Sequence, residues 1–190
     1  MRRAVTPPGS RVAGFDLSLR AAAACAVPHG WKHDLKKTKT IVIGSSVKAD
    51  AGPLERLQRI ESIALGLVDF CEKNKVTHVF VEEYAFAAML SHAHALGECG
   101  GVVKLMLYHR LNIVAVPIVA SSARKTLLQH VPSPRGQKKG YVKSYVDRNV
   151  RRLGPAVAEW TGDEVDAFVI MNHGIMLLGG TPMSFPGEEA

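Results

Sequence analysis

The chain has 190 residues, 47% of them apolar and 22% charged, which is the length and balance of one folded domain and excludes an intrinsically disordered chain. Lysine and arginine outnumber aspartate and glutamate by 24 to 17, a net charge of +7, and this points to a polyanionic partner. No apolar stretch reaches the roughly 20 residues of a membrane span, and residues 1–10 lack the apolar core of a signal peptide, so no membrane partner and a cytoplasmic location are expected.

Residues 1–10, broken by Pro7, Pro8 and Gly9, predict a disordered tail. Residues 11–19 read as a strand in which Asp16 interrupts the apolar set Val12, Ala13 and Phe15. The small-residue run 21–27 is either a second strand after a tight turn or, by alanine's propensity, a helix. Residues 32–39 are a polar, basic turn region, and residues 40–44 predict a third strand. Pro53 opens a helix in which Leu54, Leu57, Ile60, Ile63, Ala64, Leu67, Val68 and Cys71 recur at helical spacing, and Asn74 ends it. Residues 76–82 form a buried strand that finishes on Glu82, with Glu83 sent to the opposite face by the pleat. Helix followed by strand is the pattern of an α/β domain.

Residues 87–111 predict a helix carrying Gly97, Gly100 and Gly101. Each glycine costs about 1 kcal/mol there, which implies a kink or the close approach of another backbone. Residues 113–117 predict the last strand, and Ser121 or Ser122 caps a short helix through Gln129. Residues 132–140 are an exposed basic loop holding Arg135, Lys138 and Lys139. A helix over 141–153 carries Lys143, Arg148, Arg151 and Arg152. Thr161 or Gly162 starts the final helix, which runs to about Leu178 and leaves 179–190 as a C-terminal tail, loose from Phe185 onwards. No repeat and no linker divides residues 11–178, which therefore read as one domain.

The three cysteines, Cys25, Cys71 and Cys99, form no Cys-x-x-Cys pair, which argues against a disulfide framework and a structural zinc site. The acids are more informative. A carboxylate inside an apolar element is costly unless a cation compensates it, and Asp16, Glu82 and the pair Asp163 and Asp166 present this situation in three separate segments. Asp163 and Asp166 stand at i and i+3, on one helix face, although a helix N-terminus also favours acids for its own sake. Glu164, like Glu83, is expected to point elsewhere. Clustered carboxylates suit Mg²⁺ or Mn²⁺, and two such ions about 4 Å apart can clamp the attacking and leaving oxygens of a phosphoryl displacement.

Four segments carry a family resemblance: Gly14-Phe-Asp-Leu-Ser, Val81-Glu-Glu-Tyr-Ala-Phe, Leu96-Gly-Glu-Cys-Gly-Gly-Val and Asp163-Glu-Val-Asp-Ala. In order and spacing the chain resembles the RuvC-type Holliday junction resolvases of the RNase H-like superfamily over residues 11–178. The resemblance implies an α/β fold, a five-stranded mixed sheet flanked by helices with its first three strands antiparallel. It implies a homodimeric endonuclease that cuts four-way DNA junctions symmetrically, with two Mg²⁺ ions (or Mn²⁺) held by Asp16, Glu82, Asp163 and Asp166. It also implies a catalytic lysine, Lys139 or alternatively Lys138, and a basic residue after the fifth strand, where Arg124 and Lys125 fall. Tyr84 or Phe86 is placed to stack at the junction crossover, and Arg135 and Lys143 add to the DNA-binding surface. The glycine-bearing helix lies where family members dimerise or approach DNA. The Thr-Gly pair that usually follows the first family strand is replaced here by Arg20-Ala21-Ala22. Two other readings fit the residues: a superfamily nuclease for other branched, flap or RNA-containing substrates, and a nucleic-acid-binding protein without catalysis. A helicase partner is invisible in the sequence.

Overall fold

A computed structural model describes residues 9–44, 52–83, 90–128 and 141–185, without the side chains of residues 90–93 and 141–143. The strands are β1 (Arg11–Asp16), β2 (Ala21–Pro28), β3 (Lys39–Gly44), β4 (Val76–Glu82) and β5 (Val116–Ile118). They form one mixed sheet in the order β3-β2-β1-β4-β5. β1, β2 and β3 pair antiparallel, and β4 and β5 add in parallel.

Among the described residues the α-helices are α1 (Pro53–Lys73), α2 (Leu90–Leu111), α3 (Ala120–Leu127), α4 (Tyr141–Arg151), α5 (Pro155–Ala158) and α6 (Gly162–Leu177). Two apolar layers follow from the alternation of strand side chains. Ala13, Phe15, Ala22, Ala24 and Val81 pack with α1 and α2, whereas Val12, Ala23, Cys25 and Phe80 pack with α3, α4 and α6. The run 21–27 is therefore a strand. Its small side chains are buried on both faces, and tertiary packing overrides their helical propensity. The cysteines are buried and free.

Several boundaries differ from expectation. β1 stops at Asp16, because Ser18 Oγ accepts from the Arg20 and Ala21 amides and closes the turn into β2. β5 begins at Val116, since Asn112 takes a left-handed φ of 53° and the Ile113 amide donates to Leu107 O, ending α2 first. α3 is capped by the Val119 backbone, and Ser121 and Ser122 lie inside the helix. The short helix α5 has no counterpart in the sequence reading. The segment after α6 turns back. Asn172 bonds both the amide and the carbonyl of Met183, and the Phe185 amide donates to Leu127 O, so Phe185 is pinned rather than loose. Gly97 and Gly101 meet nothing within 4 Å of an added Cβ, so no neighbour among the described residues accounts for them.

Candidate active site

Two strand ends and one helix start converge here. Phe15 pairs with Val81 across the parallel β1–β4 ladder, so the next residues, Asp16 and Glu82, end adjacent strands. Asp16 shares its face with Val12, and Glu82 shares its face with Phe80, and that face is the one covered by α6. Glu83 falls on the other side and is exposed.

Gly14 sets how closely α6 approaches. A methyl at Gly14 would overlap the Met171 nitrogen and the Ala167 carbonyl and lie 2.8 Å from Met171 Cα, so α6 rests directly on the β1 backbone. Two residues further along β1 is a rise of about 6.6 Å. Four residues back along α6 is about 6 Å. The contact of Gly14 with Ala167 therefore seats α6 where both Asp166 and Asp163 act on Asp16. Gly174 repeats the device one layer on, since a methyl there would overlap the Phe80 ring.

The start of α6 is fixed by a capping box. Thr161 Oγ1 accepts from the Glu164 amide at 3.2 Å, and the Glu164 carboxylate accepts from Thr161 N at 2.9 Å. Glu164 is thereby occupied at the cap, leaving Asp163 and Asp166 as the acids of α6 that act on Asp16. The pattern Thr-x-x-Glu was legible in the sequence.

Asp16 registers the assembly. Its carboxyl is raised from the usual 3.8 to about 8, first by burial, then by the charge of Glu82, by Asp166, by a hydrogen bond with Glu82, and by Asp163. The other three acids thus all act on Asp16. Among the described residues no three acid, histidine or cysteine side chains are already posed to hold one ion, so the acids are neighbours in charge rather than a closed ligand set. Their donors are all carboxylate oxygens, the type Mg²⁺ and Mn²⁺ favour, and a cation would remove the repulsion that raises Asp16. The residues fit a divalent metal.

Arg124 enters from α3. Its Nη2 lies 3.4 Å from Asp166 Oδ1, with side-chain exposures of 25% and 8% respectively. Glu82, Ala123, Arg124, Asp166 and Ile170 line a shallow pocket. Lys125, one residue on, is exposed. Thr126 Oγ1 bonds His173 Nδ1 at 2.6 Å, which ties α3 to α6, and burial lowers the His173 pKa. Trp31 packs edge-on against Phe168, so the basic turn after β2 is anchored beneath α6. Tyr84, Phe86, Arg135, Lys138 and Lys139 lie outside the described residues. Lys143 is in α4, with its side chain outside them.

The five-stranded mixed sheet with helices on both faces is the fold seen in solved RuvC structures. Two solved structures share it over nearly their whole length. One is RuvC of T. thermophilus in complex with a Holliday junction substrate, at 15% identity and a TM-score of 0.62, covering 91% of this chain and 98% of that one. The other is a further Thermus thermophilus RuvC structure, at 18% identity and a TM-score of 0.59, covering 90% and 98%. No family model matches the sequence, and no curated protein does. Among the described residues no helix is long and apolar enough to cross a membrane.

Proposed function

We propose that the chain is a metal-dependent endonuclease that resolves four-way DNA junctions, acting as a homodimer that makes paired symmetric nicks. The observation that carries this reading is Asp16, whose carboxyl is raised to about 8 by burial and by the other three acids. A site that gathers four acids in a chain of net charge +7 is suited to hold cations inside and nucleic acid outside. When bound, two Mg²⁺ or Mn²⁺ ions would supply activation of the attacking water and neutralisation of the leaving 3′ oxygen. Asp16, Glu82, Asp163 and Asp166 would hold them. Asp16 and Glu82 are fixed by the sheet, and Asp163 and Asp166 by a capped helix, so little reorganisation is needed during the reaction.

The remaining roles rest on charge and resemblance. Lys139, or Lys138, would face the scissile phosphate. Lys125, Arg135 and Lys143 would hold the backbone, which positions DNA without reading its sequence. Tyr84 or Phe86 would stack on an unpaired base, worth about 1–3 kcal/mol. The open glycine positions of α2 support a second copy or a DNA backbone approaching that helix. The deciding experiment is a panel of four-way junction, fork, flap, duplex and RNA–DNA hybrid substrates, each with Mg²⁺ and with chelator. Paired symmetric cuts in the junction alone support resolution. Preference for a flap or hybrid would move the assignment to another nuclease of this fold, and cutting undiminished by chelator would remove the metal.

A further inference from the structure

The resemblance gives Arg124 to DNA, yet its guanidinium faces Asp166 rather than outward. We propose that Arg124 is a resident counter-cation of the carboxylate site, holding Asp166 while the site is metal-free and surrendering it when a divalent ion loads, so that it sets metal affinity by competition. The inference rests on the metal reading above and adds what this chain's own residue does to loading.

Three observations carry it. The first is position. α3 follows β5 after one residue, and β5 pairs Ile118 with Glu82. The strand that fixes Glu82 therefore also fixes the helix that carries Arg124. The second is the surroundings. Ala120, Ala123, Val169 and Ile170 line the same pocket as Glu82, Arg124 and Asp166, so the pair interacts beside apolar walls where screening is weak. The third is asymmetry. Asp166 is 8% exposed and cannot leave, whereas Arg124 is 25% exposed and has a path to solvent along a long, flexible side chain. Mg²⁺ binds oxygen ligands at about 2.0–2.1 Å. With the guanidinium 3.4 Å from Asp166 Oδ1, two cations would crowd one carboxylate, and their repulsion expels the one that can move.

A purely structural ion pair and a competing counter-cation give opposite signs. Removing a structural pair lowers both the melting temperature and metal affinity. Removing a competitor lowers the melting temperature of the metal-free protein but tightens metal binding. Mn²⁺ affinity is measured by electron paramagnetic resonance on the metal-free full chain, as wild type, Arg124→Gln, Arg124→Lys and Lys104→Gln. Arg124→Gln is expected to bind Mn²⁺ at least roughly tenfold more tightly, a change of about 1.4 kcal/mol, and to melt lower without metal. Arg124→Lys falls between it and wild type. Lys104→Gln removes the same charge from an exposed position on α2, across the sheet, and leaves Mn²⁺ affinity unchanged because a remote exposed charge is screened. Equal or weaker binding by Arg124→Gln overturns the competition while leaving the metal reading intact. Binding by neither wild type nor Arg124→Gln overturns both. Should Arg124→Gln fail to fold, wild type labelled with ¹⁵N-arginine decides. Saturating Mg²⁺ shifts the Arg124 Nε–Hε resonance if the pair is exchanged, and an unmoved resonance refutes the exchange.

Discussion

Replacing Asp16 by Asn should stabilise the metal-free protein while destroying its activity. The Asp16 carboxyl is raised to about 8 in the fold, from an ordinary 3.8. The folded protein therefore holds a proton that the unfolded chain releases. The stability this contributes is fully present below about 3.8 and is lost as pH rises towards about 8. The shift corresponds to an upper bound of about 6 kcal/mol. Side-chain relaxation and counter-ions reduce the realised loss to about 1–3 kcal/mol. Asn mimics the protonated acid at every pH and escapes it. In a chain of this length 1 kcal/mol moves the melting temperature by about 2–4 °C, so Asp16→Asn should melt about 2–12 °C above wild type at pH 8 in chelator. The gap should narrow towards pH 5 and close only below about 3.8, where Asp16 is protonated in the unfolded chain as well. Metal at a hundred times its dissociation constant adds about 2.7 kcal/mol to wild type and little to the variant, reversing the order. Calorimetric melts at the two pH values, with chelator and with Mn²⁺, test all of this. A variant that melts below wild type at pH 8 in chelator, or a gap that does not widen with pH, would refute the electrostatic reasoning.

Other changes separate the parts of the site. Gly14→Ala should cost about 1–3 kcal/mol or more and impair cleavage, because the methyl would push α6 and its two aspartates off β1; an unchanged melting temperature would disprove that approach. Thr161→Ala should cost about 1 kcal/mol through loss of the cap, read as a small fall in melting temperature and as faster amide exchange at the first turn of α6. Glu82→Gln should reduce junction cleavage by roughly a hundredfold or more, whereas Glu83→Gln, on the exposed face, should cut at the wild-type rate. Equal effects of the two would mean that the strand register does not select the ligand.

The elements legible in the sequence were those with unambiguous periodicity or caps. α1 carries eight apolar residues on helical spacing behind Pro53, and its bounds match. α6 announces itself by Thr-x-x-Glu ahead of an apolar run. β2 was ambiguous because alanine prefers helix locally, and only two packed layers make an all-small strand favourable. β5 was displaced because the chain's left-handed turn at Asn112 depends on how α2 ends, which composition does not encode. The acids were visible as misplaced charges, but their convergence depends on Gly14 and Gly174. Those glycines carry meaning only when a helix is known to lie on them. Arg124 was assigned together with Lys125 because both fall where the resemblance places a basic residue after the fifth strand. Which of two adjacent cations turns inward is decided by the phase of α3 against α6, a tertiary quantity.

Under the function proposed above, Asp16, Glu82, Asp163 and Asp166 would form one cation-dependent cleavage site for branched DNA. Incubating a labelled four-way junction with wild type and with Asp16→Asn in Mg²⁺, and reading both cleavage and junction binding, tests it most directly. The expected result is paired symmetric cuts by wild type and intact binding without cuts by Asp16→Asn. Cleavage retained by Asp16→Asn, or no cleavage of the junction by wild type, would contradict it.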